Sequence, residues 1–315
     1  MVEPAPVPIV CVTGATGFIG THLLPLLQAA GVRIRVLSRS AQVAVPGVEI
    51  VVGDLFDKPS LARFLQSGSV LINLAQPSAA LADEEFAAGM RNVAQAAREA
   101  GIGRVLHIST AMVIGVPTAQ RVTEDTPGQP KTAYERQKYA TERTLRNELG
   151  AEVDFGVLRP TAVFGLGGQN LLKIAADIAS GSTLKRYVLR FLHGQRILHL
   201  VSVQEVAAAI VFLAFLTRPL AGQVFLVAAD DEPANNYQAV DAILAAAMGK
   251  PVLRGSVRLP GAVLKALLRM AGRSQADPRL VYDAAKLRSW GFAPPIDFKL
   301  ALQAFAQAYM KNQCQ

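Results

Sequence analysis

The feature that most constrains this chain is a glycine-rich turn near its start. A β-rich apolar run at 9–12 leads into Thr13-Gly14-Ala15-Thr16-Gly17-Phe18-Ile19-Gly20, and helix-forming sequence follows over 21–30 until Gly31. Glycines spaced G-x-x-G-x-x-G between a strand and a helix let the backbone approach an anion closely. The N–H groups and dipole of the helix start then favour negative charge there. In a doubly wound sheet this is where the pyrophosphate of a dinucleotide rests. The strand–turn–helix context favours cofactor binding over a plain structural turn.

The rest of the first half keeps the same rhythm. Short apolar runs at 33–37, 48–52, 70–74, 104–109 and 154–158 alternate with helical stretches at 60–66, 83–100 and 133–149. Buried strands separated by helices predict an α/β fold, a parallel Rossmann sheet covered on both faces. After Gly165 the rhythm changes. A helix is expected at 170–180, a basic irregular stretch at 184–195, a strand and helix over 201–216, and a strand at 223–227. Helices at 238–248, 262–270 and 300–309 follow, separated by Pro/Gly turns. The expected organisation is a dinucleotide-binding domain (7–166 and 197–230) and a smaller, mainly helical substrate domain (167–196 and 231–315).

Composition narrows the class. Hydrophobic residues make up 51% of the 315 and charged residues 18%, enough apolar content for a sizeable core. The longest stretch free of Asp, Glu, Lys and Arg, 4–32, is broken by Pro, Gly and Thr, and the apolar run at 206–217 is short for a membrane span. No basic segment precedes an apolar run at the N-terminus, so no signal peptide is expected. Cys11 and Cys314 make no disulfide framework, which favours a reducing, cytoplasmic setting. The four histidines lack metal-ligand spacing, so no metal site is expected. The net charge of +8 has no aromatic-interleaved basic array, which argues against a nucleic-acid partner.

Two further patterns carry chemistry. At the end of the second strand, where an NAD site usually has Asp or Glu, stand Ser38 and Arg39. A guanidinium suits a 2′-phosphate, so NADP(H) is favoured, with NAD(H) as the other reading. Tyr134 and Lys138 are four apart on a helix and therefore share a face. A cation beside the phenol lowers its pKa and suits it to general acid/base work. Upstream, Ser109-Thr110 ends an apolar strand, where parallel sheets present ligand-binding groups.

Glycine turn, strand-end hydroxyl and Tyr-x-x-x-Lys, in that order, resemble an extended short-chain dehydrogenase/reductase of the NAD(P)-dependent epimerase/dehydratase family. Further stretches are similar: Gly53-Asp54-Leu55, the strand 71–75, Ile108-Ser109-Thr110-Ala111-Met112-Val113-Ile114-Gly115, the strand 158–165, the strand 201–207, and Asp283, Lys286, Trp290-Gly291-Phe292 and Pro294. The resemblance covers 9–311 and implies the following roles. Thr110, Tyr134 and Lys138 are the catalytic trio. The cofactor is held by Gly14, Thr16, Gly17, Phe18, Ile19, Gly20, Ser38, Arg39, Asp54, Leu55, Leu74, Ala75, Tyr134, Lys138, Pro160 and Val163, with Asp54 accepting from the adenine amino group. Gln76, Arg186 and Arg196 are candidates for contact with the substrate. A homodimer through the helices at 83–100 and 133–149 is implied as well. The chain departs from the family pattern at Phe86, Ser202 and Glu205, and Arg196 lies two positions from the expected place of a diphosphate-binding arginine.

The expected activity is NADP(H)-dependent 4-keto reduction or 4-epimerisation of a nucleotide-diphosphate sugar. The alternatives are reduction of a lipophilic carbonyl compound and a non-catalytic NADP(H)-binding scaffold or redox sensor. The basic stretch Lys185, Arg186, Arg190, Arg196 has three open readings: a clamp on the substrate diphosphate, a patch resting on an anionic membrane, or a solvated segment. Arg254, Arg258, Arg273 and Arg279 are further phosphate candidates. Glu135 and Arg136 are expected to face solvent.

Overall fold

The computed structural model describes residues 7–41, 45–76, 83–117, 119–194, 196–254 and 279–313. The expected helix at 262–270, Arg258, Arg273 and Cys314 lie outside them. In chain order the first elements are β1 (Ile9–Thr13), α1 (Phe18–Ala29), β2 (Arg33–Ser38), β3 (Val48–Val52), α2 (Lys58–Phe64), β4 (Val70–Asn73), α3 (Asp83–Glu99) and β5 (Arg104–Ile108). A 3-10 turn at Ala111–Ile114, β6 (Arg121–Val122), α4 (Ala133–Leu149), β7 (Asp154–Pro160) and β8 (Ala162–Phe164) follow. Then come α5 (Leu172–Ala179), α6 (Thr183–His193), β9 (Leu200–Ser202), α7 (Val203–Phe215), β10 (Val224–Val227) and α8 (Tyr237–Ala247). The last described elements are β11 (Val281–Tyr282), α9 (Ala285–Ser289) and α10 (Phe298–Gln313).

The central sheet has seven strands in the order β10-β7-β5-β4-β1-β2-β3. The pairings from β3 across to β7 are parallel, with Val10 opposite both Ile34 and Val70. The order reverses beside β1, where a doubly wound sheet opens a crevice at its strand ends. β1, β4 and β5 are buried almost throughout, as strands covered on both faces must be.

The chain divides into two compact units. The first comprises Met1–Val113, Thr132–Arg159 and Ala207–Phe225, and the second Ile114–Lys131, Pro160–Val206 and Leu226–Gln315. In the first, one face of the sheet packs Cys11, Leu71, Val105 and Val157 against Phe64, Met90, Ala97 and Leu145. Arg104 staples this unit: it pairs with Asp154 at 2.6 Å and caps the end of α7 by donating to the Leu213, Ala214 and Leu216 carbonyls. In the second, Phe164, Ile178, Val240, Leu244, Leu302 and Phe305 form a separate core.

The stretch at 184–195 is a correction. It is helical over Thr183–His193, not irregular, and its hydrophobic pattern is inverted. Arg186 and Arg190 are each 2% exposed and both bind Asp241, while Leu184, Tyr187, Val188 and Phe191 face out. A reading that puts charge outside finds no helix there.

Candidate active site

The glycine turn is built as its sequence demands. Gly14 has φ +69°, and a Cβ there would lie 2.8 Å from the Leu74 carbonyl carbon and 2.9 Å from the Ala75 nitrogen. Only glycine lets β1 turn away this close to the end of β4. A Cβ on Gly20 would run into the Ala15 backbone, so the first turn of α1 also lies against the loop. Gly17 caps α1 without a side chain, and Thr16 and Gly17 are exposed. Helix-start N–H groups are thus left for an outside acceptor. Phe18 and Ile19 are half-buried along this start. Nearby, Asn73 ties three strand ends together. Its Oδ1 accepts from Thr13 at 2.6 Å and from the Ala75 N–H, and its Nδ2 lies 3.3 Å from His107 Nδ1. His107 is fully buried, and burial first, then the Lys138 charge, hold its pKa well below the usual value. It stays neutral. Sequence reasoning placed Asn73 in the right strand but missed this network, since His107 pairs with a residue 34 positions away.

Ser38 is half-buried and accepts from the Ser40 N–H, while Arg39 is exposed. Among the described residues no carboxylate pairs with Arg39. The nearby acid Glu49 is taken by Arg33 and Arg35 at 2.9 and 2.7 Å. Asp54 uses Oδ1 to accept the Phe56 N–H at 2.9 Å, and Leu55 is half-buried beside it. Leu74 and Ala75 are buried and Gln76 is exposed. Pro160 and Val163, both buried, belong to the second unit, as do Arg186 and Arg196.

The trio expected from the sequence, Thr110, Tyr134 and Lys138, lies at the end of β5 and the start of α4. Thr132 caps α4: its hydroxyl accepts from the Glu135 N–H, and the Glu135 carboxylate accepts from the Thr132 N–H. Glu135 is therefore fully buried, contrary to expectation, while Arg136 is exposed as expected. The cap fixes Tyr134 in the first turn. Tyr134 is 39% exposed, and the Thr110 side chain lies beside its hydroxyl. Lys138, one turn on, is 1% exposed and donates to the Ile108 carbonyl at 3.2 Å. Burial lowers Lys138 to about 8, with the Glu142 carboxylate pulling upward. Glu142 is itself clamped by Arg159 through two bonds, at 2.9 and 2.5 Å.

One expectation is reversed. Lys138 does not lower the Tyr134 phenol here; burial raises it, and the hydrogen bond with Thr110 partly offsets this. The lysine charge is instead engaged by Ile108. Ser109, next to Thr110, is 4% exposed, and its hydroxyl has no partner among the described residues. A buried hydroxyl of this kind is costly unless a ligand or water completes it.

The residues fit a dinucleotide cofactor: a Cβ-free cradle at Gly14, an uncapped helix start, and a strand-end hydroxyl beside a Tyr/Lys pair. A doubly wound parallel sheet with a glycine turn after β1 has the architecture of a dinucleotide-binding fold. The model of the NAD dependent epimerase/dehydratase family matches residues 10–228, and the chain belongs to that family. It is similar to a 4-hydroxy-2-methyl-3-oxo-4-farnesyl-3,4-dihydroquinoline-1-oxide ketoreductase of Stigmatella aurantiaca, 31% identical over 166 residues, which is 49% of this chain and 50% of that protein. It is also similar to a UDP-glucose 4-epimerase of Azospirillum brasilense, 31% identical over 163 residues and 46% of each chain. These matches span about half the length of the curated relatives. The crystal structure of a DesIV double mutant, a dTDP-glucose 4,6-dehydratase from Streptomyces venezuelae with NAD and DAU bound, superposes with a TM-score of 0.72 at 21% identity over 98% of both chains. That likeness shows the fold.

Proposed function

We propose that the chain is an NADP(H)-dependent oxidoreductase that interconverts a carbonyl and a secondary alcohol on a nucleotide-diphosphate sugar. The observation that carries the reading is the convergence of Thr110, Tyr134 and Lys138 at the end of β5. A bound nicotinamide cofactor supplies or accepts the hydride. In reduction, the substrate oxygen gains its proton from the Tyr134 hydroxyl. The raised phenol pKa keeps that proton in place at neutral pH, which suits a donor. Thr110 orients the same oxygen. Lys138, still largely protonated at neutral pH, would donate to the cofactor's ribose. Arg39, exposed and with no carboxylate partner among the described residues, supports preference for a 2′-phosphate.

Similarity to the UDP-glucose 4-epimerase supports the sugar reading. Arg186 no longer contributes to it, because its guanidinium is committed to Asp241 and to the Pro251 carbonyl. A second reading, reduction of a lipophilic ketone, is supported by similarity to the farnesyl-quinoline ketoreductase. The test is oxidation of NADPH by purified protein against UDP-, GDP- and dTDP-4-keto sugars and a set of hydrophobic ketones. Isomerisation of UDP-glucose without net cofactor change marks an epimerase. Cofactor binding without turnover on any panel refutes catalysis. Tyr134→Phe is expected to lose ~10²–10⁴-fold in turnover while still binding NADPH; retention of full activity removes the assignment.

A further inference from the structure

The second unit turns one helix inside out. In an ordinary surface helix the apolar stripe faces the core and the charges face water. In α6 the stripe carrying Arg186 and Arg190 is inside. Arg186 reaches Asp241 with two bonds of 3.0 Å and donates to Pro251, and Arg190 adds a third bond to Asp241 at 3.0 Å and one to the Gln238 carbonyl. The opposite stripe, Leu184, Tyr187, Val188 and Phe191, is spaced i, i+3, i+4, i+7 and is 78, 41, 48 and 37% exposed. The helix cannot roll to hide this face, because rolling would strip two buried guanidinium groups from their carboxylate.

We propose that the outward face of α6 docks on an anionic lipid bilayer. The charge around it selects that occupant. Over 171–196 the exposed charges are Lys173 and Lys185, both basic, while Arg186 and Arg190 are spent inward on Asp241. Lys185, exposed next to Leu184 on α6, reaches Asp177 at 2.5 Å, and Lys173 is exposed on α5. Basic residues flanking an apolar helical face that carries Tyr and Phe are what an anionic interface attracts, and the +8 of the whole chain adds a long-range pull. A second copy of the chain would bring the same lysines together across the contact, which repels. An 11-residue helix is ~16 Å long, enough for shallow in-plane anchoring and too short to span.

Flotation of the full chain with vesicles tests this. The protein should float with phosphatidylcholine vesicles containing about a third phosphatidylglycerol, and not with pure phosphatidylcholine; about 0.5 M salt should weaken the association. The double substitution Leu184→Ser, Phe191→Ser should lower affinity for anionic vesicles about tenfold or more. Leu26→Gln, an exposed apolar residue of α1, should leave affinity unchanged. Both positions of the double variant are at the surface, so circular dichroism and thermal melting should show an intact fold. Failure of the wild-type chain to float with anionic vesicles overturns the proposal, and so does equal flotation of the double variant. A wild-type dimer that the double variant loses, with no vesicle binding, overturns it in favour of a contact between copies.

Discussion

Lys138 should be a residue that the fold tolerates at a cost because the chemistry needs it. Its ordinary pKa of 10.5 falls to about 8 on burial. At 1.36 kcal/mol per pH unit that gap is worth ~3 kcal/mol against folding at neutral pH. The direction follows from proton counting. Below pH 8 both states carry the proton and the full cost is present. Between pH 8 and 10.5 the unfolded chain still binds the proton and the folded chain has released it, so stability rises with pH. Lys138→Met removes the buried charge but loses the charge-assisted hydrogen bond to Ile108, worth ~1.5–3 kcal/mol. Glu142 is not orphaned, since Arg159 holds both its oxygens. The variant should therefore be up to ~1 kcal/mol more stable than the wild type at pH 7, with turnover reduced by orders of magnitude. Urea unfolding of both proteins from pH 6.5 to 9.5 reads the effect, and the difference should shrink above pH 8. A variant less stable than the wild type at pH 7, or a difference that ignores pH, refutes the reasoning.

Other expectations follow from single observations. Arg39→Ala should raise the KM for NADPH by ~10–100-fold and leave that for NADH within about twofold, because a charge-assisted bond to phosphate is worth ~1.5–3 kcal/mol; equal effects on both cofactors would remove Arg39 from the phosphate site. Gly14→Ala forces a Cβ to 2.8 Å from the Leu74 backbone at φ +69°, and calorimetric titration should show cofactor affinity lost before the fold is. Asp241→Asn leaves two buried guanidinium groups without a counter-charge, so urea unfolding should show a loss of ~3–5 kcal/mol. Replacing Arg186 and Arg190 by Met together with Asp241 by Leu should recover most of it.

The first unit was legible because its signals are local. A glycine turn between a strand and a helix, short β-branched runs and an alanine-rich helix ending at Gly101 each declare themselves within a dozen residues, and β1, β2, β4, β5 and α4 fall where those runs predict. The Tyr134–Lys138 face was legible for the same reason, as one turn of helix fixes it. The short pairs β6–β11 and β8–β9 were not, because two or three residues carry no period and β11 finds its partner from 160 positions away.

Charge was the misleading signal. Sequence reading treats a charge as exposed by default, and here Arg186, Arg190 and Arg159 are buried against carboxylates remote in the chain. Asp241 draws Arg186 and Arg190 inward from about fifty positions away. Arg159 pairs with Glu142 across 17 residues and leaves Lys138 with a carboxylate neighbour that already has a counter-ion. The two pairings with Asp241 remove two cations from the ledger that suggested a phosphate-binding surface. The same inward turn of Arg186 and Arg190 takes away the diphosphate clamp and exposes Leu184, Tyr187, Val188 and Phe191. The +8 of the chain therefore divides into two roles. Arg39 stays outside at the end of β2, where a cofactor phosphate would lie. The arginines of α6 hold a helix so that its apolar side is the one presented.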